Sequence, residues 1–147
     1  MKIKVWDYLE EYKILKTKIL DEVDNVFSSG QLILGKRLMT FEKKFSMYIK
    51  TKHSVGVNSG TDALLVSLLA AKIGKGDEVI TVPNTAVPTV SAIVSSGAKP
   101  VFVDINSDDF LINALKIKKV ITKKTKAIIP VHLTGRIADM NEINKIA

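Results

Sequence analysis

The chain has 147 residues, of which 46% are hydrophobic, so it can bury one core and holds one ordinary domain or part of one. Its longest apolar run, residues 63–71, is too short to cross a membrane, and the first residues lack the apolar centre of a secretion signal. The absence of cysteine and the presence of only two histidines, His53 and His132, argue against disulfides, a thiolate nucleophile or a zinc site. We therefore expect a cytoplasmic protein without a metal centre.

The formal net charge of +7 raises the question of a nucleic-acid partner, because lysines crowd residues 116–126. Only two arginines occur, Arg37 and Arg136, and no aromatic residues are interleaved with these lysines. Base recognition favours arginine, and single-strand binding favours aromatic stacking. We therefore interpret the lysine cluster as a solvated helix face rather than a nucleic-acid surface.

The first third of the sequence predicts two helices. Apolar residues recur at three- and four-residue steps over residues 8–27, and the pattern stops before Gly30, a residue typical of helix ends. A second amphipathic helix is predicted over residues 38–49. We expect the aromatic residues on one face of this helix to pack in the core: Phe41, Phe45 and Tyr48.

After Lys52 the sequence alternates between short β-branched runs and helical stretches. Strands joined by single helices must run in the same direction, and near-continuous apolar strands fit burial on both faces of a sheet. The sequence therefore predicts an α/β fold with a mostly parallel sheet and flanking helices, preceded by an N-terminal helix. The predicted strands cover residues 54–57, 78–82, 100–105 and 127–131, and the helices between them cover residues 61–73, 87–96 and 112–121, with a last helix from about residue 139.

A turn rich in small residues joins the first of these strands to the helix that follows it. Residues 55–61 read Val-Gly-Val-Asn-Ser-Gly-Thr. At a strand-to-helix turn, small residues allow backbone N–H groups to converge on an anion, and the helix N-terminus adds positive partial charge. Ser59 and Thr61 are also common helix N-caps, so the residues alone leave open both a phosphate site and a simple cap.

Polar residues also follow the other predicted strands. Because ligands of parallel sheets bind at the carboxyl ends of the strands, residues at this edge could shape a site. Asp104 could instead be a strand-end cap, and His132 could be a structural histidine with a satisfied hydrogen bond. The residues in question are Asn84, Thr85, Asp104 and His132.

Nine blocks of sequence occur in the order and spacing of a known family. No Gly-x-Gly-x-x-Gly or Gly-Lys-Ser/Thr motif is present, which argues against dinucleotide and nucleoside-triphosphate cradles. Over residues 28–147 the chain resembles the amino-terminal third of the pyridoxal-phosphate-dependent nucleotide-sugar aminotransferases, the DegT family of fold-type I enzymes. The blocks are residues 33–35, 41–42, 55–64, 76–80, 97–98, 100–104, 124–132, 135 and 139–140.

The resemblance implies a partial fold-type I large domain at residues 36–147, preceded by an N-terminal helix and arm at residues 1–35. It implies that Ser59, Gly60, Thr61 and Ala86 belong to the binding site of pyridoxal 5′-phosphate (PLP). Gly60 and Thr61 would bind its phosphate through backbone N–H groups and the Thr61 hydroxyl, with Ser59 shaping the turn. The implied reaction is transamination of a keto group on a nucleotide-activated deoxysugar, such as a dTDP-linked one, in polysaccharide or deoxysugar biosynthesis. Glutamate as amino donor and a homodimer are implied as well.

The chain departs from the family pattern at three places. Ala86 stands where the family places an aromatic residue that stacks on the pyridine ring, and Thr134 stands where the family usually has Tyr or Phe. The acidic partner of the pyridine nitrogen and the Schiff-base lysine correspond to positions beyond Ala147. We therefore expect no catalytic residue in this chain and an inactive, truncated domain; the alternative is a non-catalytic phosphate-binding or regulatory module.

Overall fold

A computed structural model describes Lys4 and residues 6–147 of the chain. The chain divides into two compact units, of which the first ends at Gly56 and the second is Val57–Ala147. The start of the predicted N-terminal arm, residues 1–3 and 5, lies outside the described residues, and the domain boundary between residues 35 and 36 stays a prediction. None of the helices in the described part of the chain is long and apolar enough to cross a membrane.

Two helices form the first unit, as the apolar spacing predicts. Helix α1 is Tyr8–Ser28, and its N-cap is Asp7, whose carboxylate accepts a hydrogen bond from the Leu9 N–H. The chain leaves α1 through Gly30, which has φ 69°, a conformation that only glycine adopts without a steric penalty. Helix α2 is Lys36–Tyr48. Both predicted helices are therefore confirmed.

The predicted burial of the aromatic residues on α2 is wrong for this structure. Phe41, Phe45 and Tyr48 are 56%, 42% and 83% exposed, and Ser46 is the buried residue of the helix. The rings of Phe41 and Phe45 stack on one another, with their centroids 5.6 Å apart. A helical apolar stripe becomes core only where another element covers it, and the described part of the first unit offers no such cover for this face.

The predicted strand at residues 54–57 does not form. These residues have no regular secondary structure and no paired strand, and Val55 is 77% exposed. Glu42 of α2 holds this segment instead: the Gly56 N–H donates to Glu42 Oε1 (2.8 Å), and the Ser54 hydroxyl donates to the Glu42 carbonyl (2.6 Å). A short apolar run becomes a strand only where a second strand completes its hydrogen bonds, and here the helix α2 supplies the acceptors.

The second unit contains a parallel three-stranded sheet. Strands β1 (Glu78–Thr81), β2 (Lys99–Phe102) and β3 (Thr125–Ile128) lie in the order β2-β1-β3, and β1 pairs in parallel with both neighbours. The central strand β1 is the most buried, with Val79, Ile80 and Thr81 fully inaccessible to solvent. The parallel sheet and three of the four predicted strands are therefore confirmed.

Helices cover both faces of this sheet. On one face, Leu68 and Ile93 pack with Val79; on the other, Ile117 and Ile143 pack with Ile80. Adjacent residues of β1 thus enter different cores, as the alternation of side chains along a strand requires. The predicted α/β fold is confirmed, with helices α3 (Gly60–Ala70) and α4 (Val87–Ser95) on the first face and α5 (Ala114–Val120) and α6 (Met140–Ile146) on the second.

Candidate functional site

The carboxyl edge of the sheet carries the polar residues that the sequence singles out. The connections leaving the three strands are joined there by side-chain hydrogen bonds. Asn84 Nδ2, after β1, donates to the Phe110 carbonyl (3.5 Å), and Arg136 Nη1, after β3, donates to the Asp108 carbonyl (3.4 Å). Phe110 and Asp108 both lie in the connection that follows β2. The structure therefore ties all three connections together at the edge where parallel sheets bind their ligands.

Helix α3 points its N-terminus towards the same edge. Near its C-terminal end, Leu68 and Ile73 pack with Val79, at the start of β1, and with Ala98, just before β2. The C-terminal end of α3 therefore lies beside the amino edge of the sheet. Its first residues, Gly60 and Thr61, consequently lie towards the carboxyl edge.

The N-terminus of α3 is capped by Ser59. The Ser59 hydroxyl accepts a hydrogen bond from the Asp62 N–H (3.1 Å) and donates one to Asp62 Oδ2 (2.8 Å). This reciprocal pair satisfies one of the free amide groups at the start of the helix and fixes the turn. The cap interpretation of Ser59 is therefore confirmed, and its hydroxyl proton is donated to Asp62 Oδ2.

The cap leaves Gly60 and Thr61 with unused donors. Among the described residues, the Gly60 N–H, the Thr61 N–H and the Thr61 hydroxyl donate no hydrogen bond. A Cβ atom built on Gly60 would meet no heavy atom within 4 Å, so open space lies next to these donors. Two amide groups and a hydroxyl at a helix N-terminus, with space in front of them, can bind an anion the size of a phosphate.

The loop after β1 is held by a pair of threonines. Thr85 Oγ1 and Thr89 Oγ1 are 2.8 Å apart, and Thr89 is only 7% exposed. Ala86, between them, is the exposed N-cap of α4 and has no side chain that could cap the helix. The loop therefore takes its shape from Thr85 and Thr89, and Ala86 leaves the surface beside it open.

Asp104, after β2, is an ion-pair partner rather than a free base. Its Oδ2 lies 2.7 Å from Lys116 Nζ on α5, and its Oδ1 accepts the N–H of Ile105 (2.9 Å). The hydrogen bond from Lys116, followed by that from Ile105, lowers the pKa of Asp104 below its ordinary value of 3.8. Because the pKa is lowered in the folded state, the ion pair stabilises the fold at pH values above 3.8. This stabilisation is lost as the pH falls through the lowered pKa of Asp104.

His132, after β3, is exposed, and one of its ring nitrogens is already used. The Ala138 N–H donates to His132 Nδ1 (3.1 Å). A nitrogen that accepts a hydrogen bond carries the lone pair, so the proton of the neutral ring lies on Nε2. The predicted structural role of His132 is therefore supported at Nδ1, while Nε2–H remains able to donate to a ligand.

Two residues of this edge were missed by the sequence analysis. Lys116 was grouped with the solvated lysines, although it pairs with Asp104. Arg136 was counted only as evidence against nucleic-acid binding, although it joins two of the three connections. A basic residue early in the helix after a strand-end aspartate was the available signal for Lys116. No sequence signal indicated the contact of Arg136 with a carbonyl 28 residues away.

Comparison with known proteins places these features in a family. The sequence profile of the DegT/DnrJ/EryC1/StrS aminotransferase family matches residues 13–147. The dTDP-3-amino-3,4,6-trideoxy-alpha-D-glucose transaminase of Micromonospora megalomicea subsp. nigra is 46% identical over 143 residues, which are 97% of this chain and 38% of that protein.

Solved structures show the same similarity. DesV of S. venezuelae, in complex with a ketimine intermediate, superposes with a TM-score of 0.94 at 38% identity, over 99% of this chain and 39% of that one. NtdA of Bacillus subtilis, with bound cofactor PMP, superposes with a TM-score of 0.85 at 41% identity, over 88% of this chain and 30% of that one. The chain therefore spans well under half the length of each of these relatives.

Proposed function

Because this chain belongs to the DegT/DnrJ/EryC1/StrS aminotransferase family, we propose that the protein containing it is a PLP-dependent sugar aminotransferase. Its reaction would convert a keto group on a nucleotide-activated, dTDP-linked deoxysugar to an amine. The similarity to a dTDP-amino-sugar transaminase supports the substrate class, and the similarity to NtdA with bound PMP, the amine form of PLP, supports the cofactor.

The observation that carries this proposal is the start of α3. The unused N–H groups of Gly60 and Thr61, the Thr61 hydroxyl and the open space beside Gly60 fit one phosphate monoester. The Ser59 hydroxyl donates to Asp62, so it would reach the phosphate only by exchanging that bond. Its role is to hold the turn so that the two amide groups point in one direction.

The other residues of the carboxyl edge would orient the ligands. When bound, PLP supplies the aldehyde and the electron-withdrawing ring that transamination requires. His132 Nε2–H can donate a hydrogen bond to a ligand, and Asn84 can do so if its long bond to the Phe110 carbonyl (3.5 Å) is exchanged. Ala86 offers no ring to stack on the pyridine, so this chain would bind PLP mainly through its phosphate.

Further parts of the proposal rest on the family resemblance alone. They are glutamate as the amino donor, a homodimer, a cytoplasmic location, and a Schiff-base lysine and an acidic partner of the pyridine nitrogen outside this chain. With no catalytic residue assigned within it, we expect the chain on its own to be inactive. A non-catalytic binding or regulatory module is the weaker alternative, because the relatives described above include a named transaminase.

Thr61→Val tests the phosphate site in the protein that contains this chain. The substitution removes a hydroxyl donor and nearly conserves shape, so it should weaken PLP binding by about 1.5–3 kcal/mol, the range for a hydrogen bond to a charged group. That range corresponds to roughly a tenfold to hundredfold rise in the dissociation constant. The measurement is a titration of the apo protein with PLP, followed by absorbance, beside thermal melting of the apo form.

Two variants serve as controls for this titration. Thr40→Val removes a hydroxyl that bonds within α2 to the Lys36 carbonyl, and it should leave PLP affinity unchanged. Ser59→Ala removes the cap, so it should lower the stability of the apo form by about 1 kcal/mol. If Thr61→Val leaves PLP affinity at the wild-type value, the Thr61 hydroxyl does not bind the phosphate and its place in the proposed site is refuted.

A further inference from the structure

We propose that Arg136 binds an oxyanion of a substrate at the carboxyl edge of the sheet. The inference rests on the proposed function, and it adds a ligand that the phosphate site at α3 does not contact. The chemistry is a pair of oxyanion oxygens, which either the diphosphate of the nucleotide-linked sugar or the carboxylate of the amino donor can present. A planar guanidinium matches both groups with two parallel hydrogen bonds.

The backbone around Arg136 is fixed by a tight turn. The Arg136 N–H donates to the Leu133 carbonyl (3.0 Å), and the two residues between them are left-handed, with φ 53° at Thr134 and φ 81° at Gly135. A β-branched residue pays a steric cost in this conformation. A second hydrogen bond, from the Ala138 N–H to His132 Nδ1, joins the residues on either side of this turn. These two hydrogen bonds fix the backbone at Arg136, which lies four residues after His132.

The guanidinium of Arg136 has donors to spare. Its one recorded bond, from Nη1 to the Asp108 carbonyl, is long at 3.4 Å. Among the described residues it forms no ion pair, and the side chain is exposed. A guanidinium has five N–H donors, so most of them face solvent. The contact with Asp108 holds the side chain between the connections that follow β2 and β3. It leaves the other N–H donors of the guanidinium free for a ligand.

The carboxylates of this edge are largely occupied by other groups. Asp104 is paired with Lys116, and Asp109 accepts the N–H of Leu111 and a bond from Asn106. Asp139 caps α6 by accepting the Glu142 N–H. Asp108 contacts the guanidinium through its backbone carbonyl, and among the described residues its carboxylate forms no ion pair with Arg136. Arg136 is the single arginine of the second unit, so its positive charge is the one best shaped for an anionic ligand there.

Arg136→Met tests this inference by equilibrium binding. The protein that contains this chain is loaded with PLP, and deoxythymidine diphosphate and glutarate, which has the carboxylates of glutamate but no amine to react with PLP, are titrated separately by calorimetry. We expect about a tenfold or greater loss of affinity for one of the two probes, as for the loss of a charge-assisted bidentate contact. Arg136→Lys should recover only part of the lost affinity, because lysine keeps the positive charge but lacks the two parallel N–H donors of a guanidinium. The probe whose binding is weakened shows whether Arg136 binds the diphosphate of the sugar nucleotide or the carboxylate of the amino donor.

Lys123→Met is the matched control, because it removes one positive charge before β3, at the opposite edge of the sheet. It should leave the affinity for both probes unchanged. Wild-type affinity for both probes in Arg136→Met, or an equal loss in Lys123→Met, overturns the inference. Retention of PLP is measured in the same samples. If Arg136→Met binds PLP and both probes normally, this inference fails while the proposed function stands. If the wild-type protein binds no PLP, the proposed function itself fails.

Discussion

Thr134 shows how a single residue can be placed at a local energetic cost. Its φ of 53° lies in the left-handed region, and its hydroxyl donates to the adjacent Leu133 carbonyl (2.8 Å). With Gly135 also left-handed, the turn has the backbone of type I′, for which Asn-Gly is the favoured pair. Threonine is β-branched and is disfavoured there, because its Cβ substituents approach the backbone too closely.

Thr134→Asn should therefore stabilise the protein. Asparagine tolerates the left-handed conformation, so we expect a gain of about 1 kcal/mol, the lower end of the cost of such a strained residue. The measurement is the denaturant midpoint at constant m-value. Thr40→Asn, in the interior of α2, is the control, because threonine and asparagine have similar helix propensities and the midpoint should change little. A lower midpoint for Thr134→Asn would show that the turn is not strained by threonine.

The sequence identified Thr134 as unusual but could not reveal its backbone. The departure was visible because the resemblance leads us to expect an aromatic residue at this position. The left-handed φ depends on the bond between Arg136 and Leu133 and on the segment closed by His132 and Ala138. Ser59 is the opposite case, since its cap follows from local sequence alone and is confirmed. Contacts within four residues were predictable, whereas those of Lys116 and Arg136 span 12 and 28 residues and were not.

At the scale of elements, Glu42 replaces a missing strand partner. Its carboxylate and its carbonyl accept the bonds of Gly56 and Ser54. A Cβ built on Gly56 would lie 2.5 Å from Leu38 Cδ1 of α2, so a larger residue there would displace the Leu38 side chain. The short apolar run at residues 54–57 predicted a strand, and that prediction is wrong. It could not predict that a helix side chain, rather than a strand, would satisfy the Gly56 N–H.

Glu42→Ala should release this segment from α2. The substitution removes a charged acceptor from a partly buried N–H, so the local structure should lose about 1.5–3 kcal/mol. The Gly56 amide should then exchange with solvent roughly tenfold to hundredfold faster, measured by native-state hydrogen exchange. Glu42→Gln keeps a carbonyl oxygen at the same place and should accelerate exchange less. Equal protection of Gly56 in wild type and Glu42→Ala would contradict this role of Glu42.

At the scale of the molecule, the sequence predicted the kind of sheet but not its order. Single helices between apolar strands require parallel pairing, and the structure confirms it. The order β2-β1-β3 could not be predicted, because it depends on which helices pack on which face of the sheet. Large apolar side chains remain exposed in both units, including Ile33, Tyr48 and Leu115. Exposed apolar surface of this kind is consistent with the proposed homodimer.

The central claim is the transfer of an amino group to a nucleotide-linked keto sugar. The most direct measurement incubates the protein containing this chain with PLP, L-glutamate and a dTDP-linked keto-deoxysugar, and follows 2-oxoglutarate and the sugar product by mass spectrometry. We predict 2-oxoglutarate and the dTDP-amino sugar in equal amounts, with both lost when PLP or glutamate is omitted. Saturation with PLP without formation of an amino sugar from any dTDP-linked keto sugar or amino donor tested would contradict the proposed function.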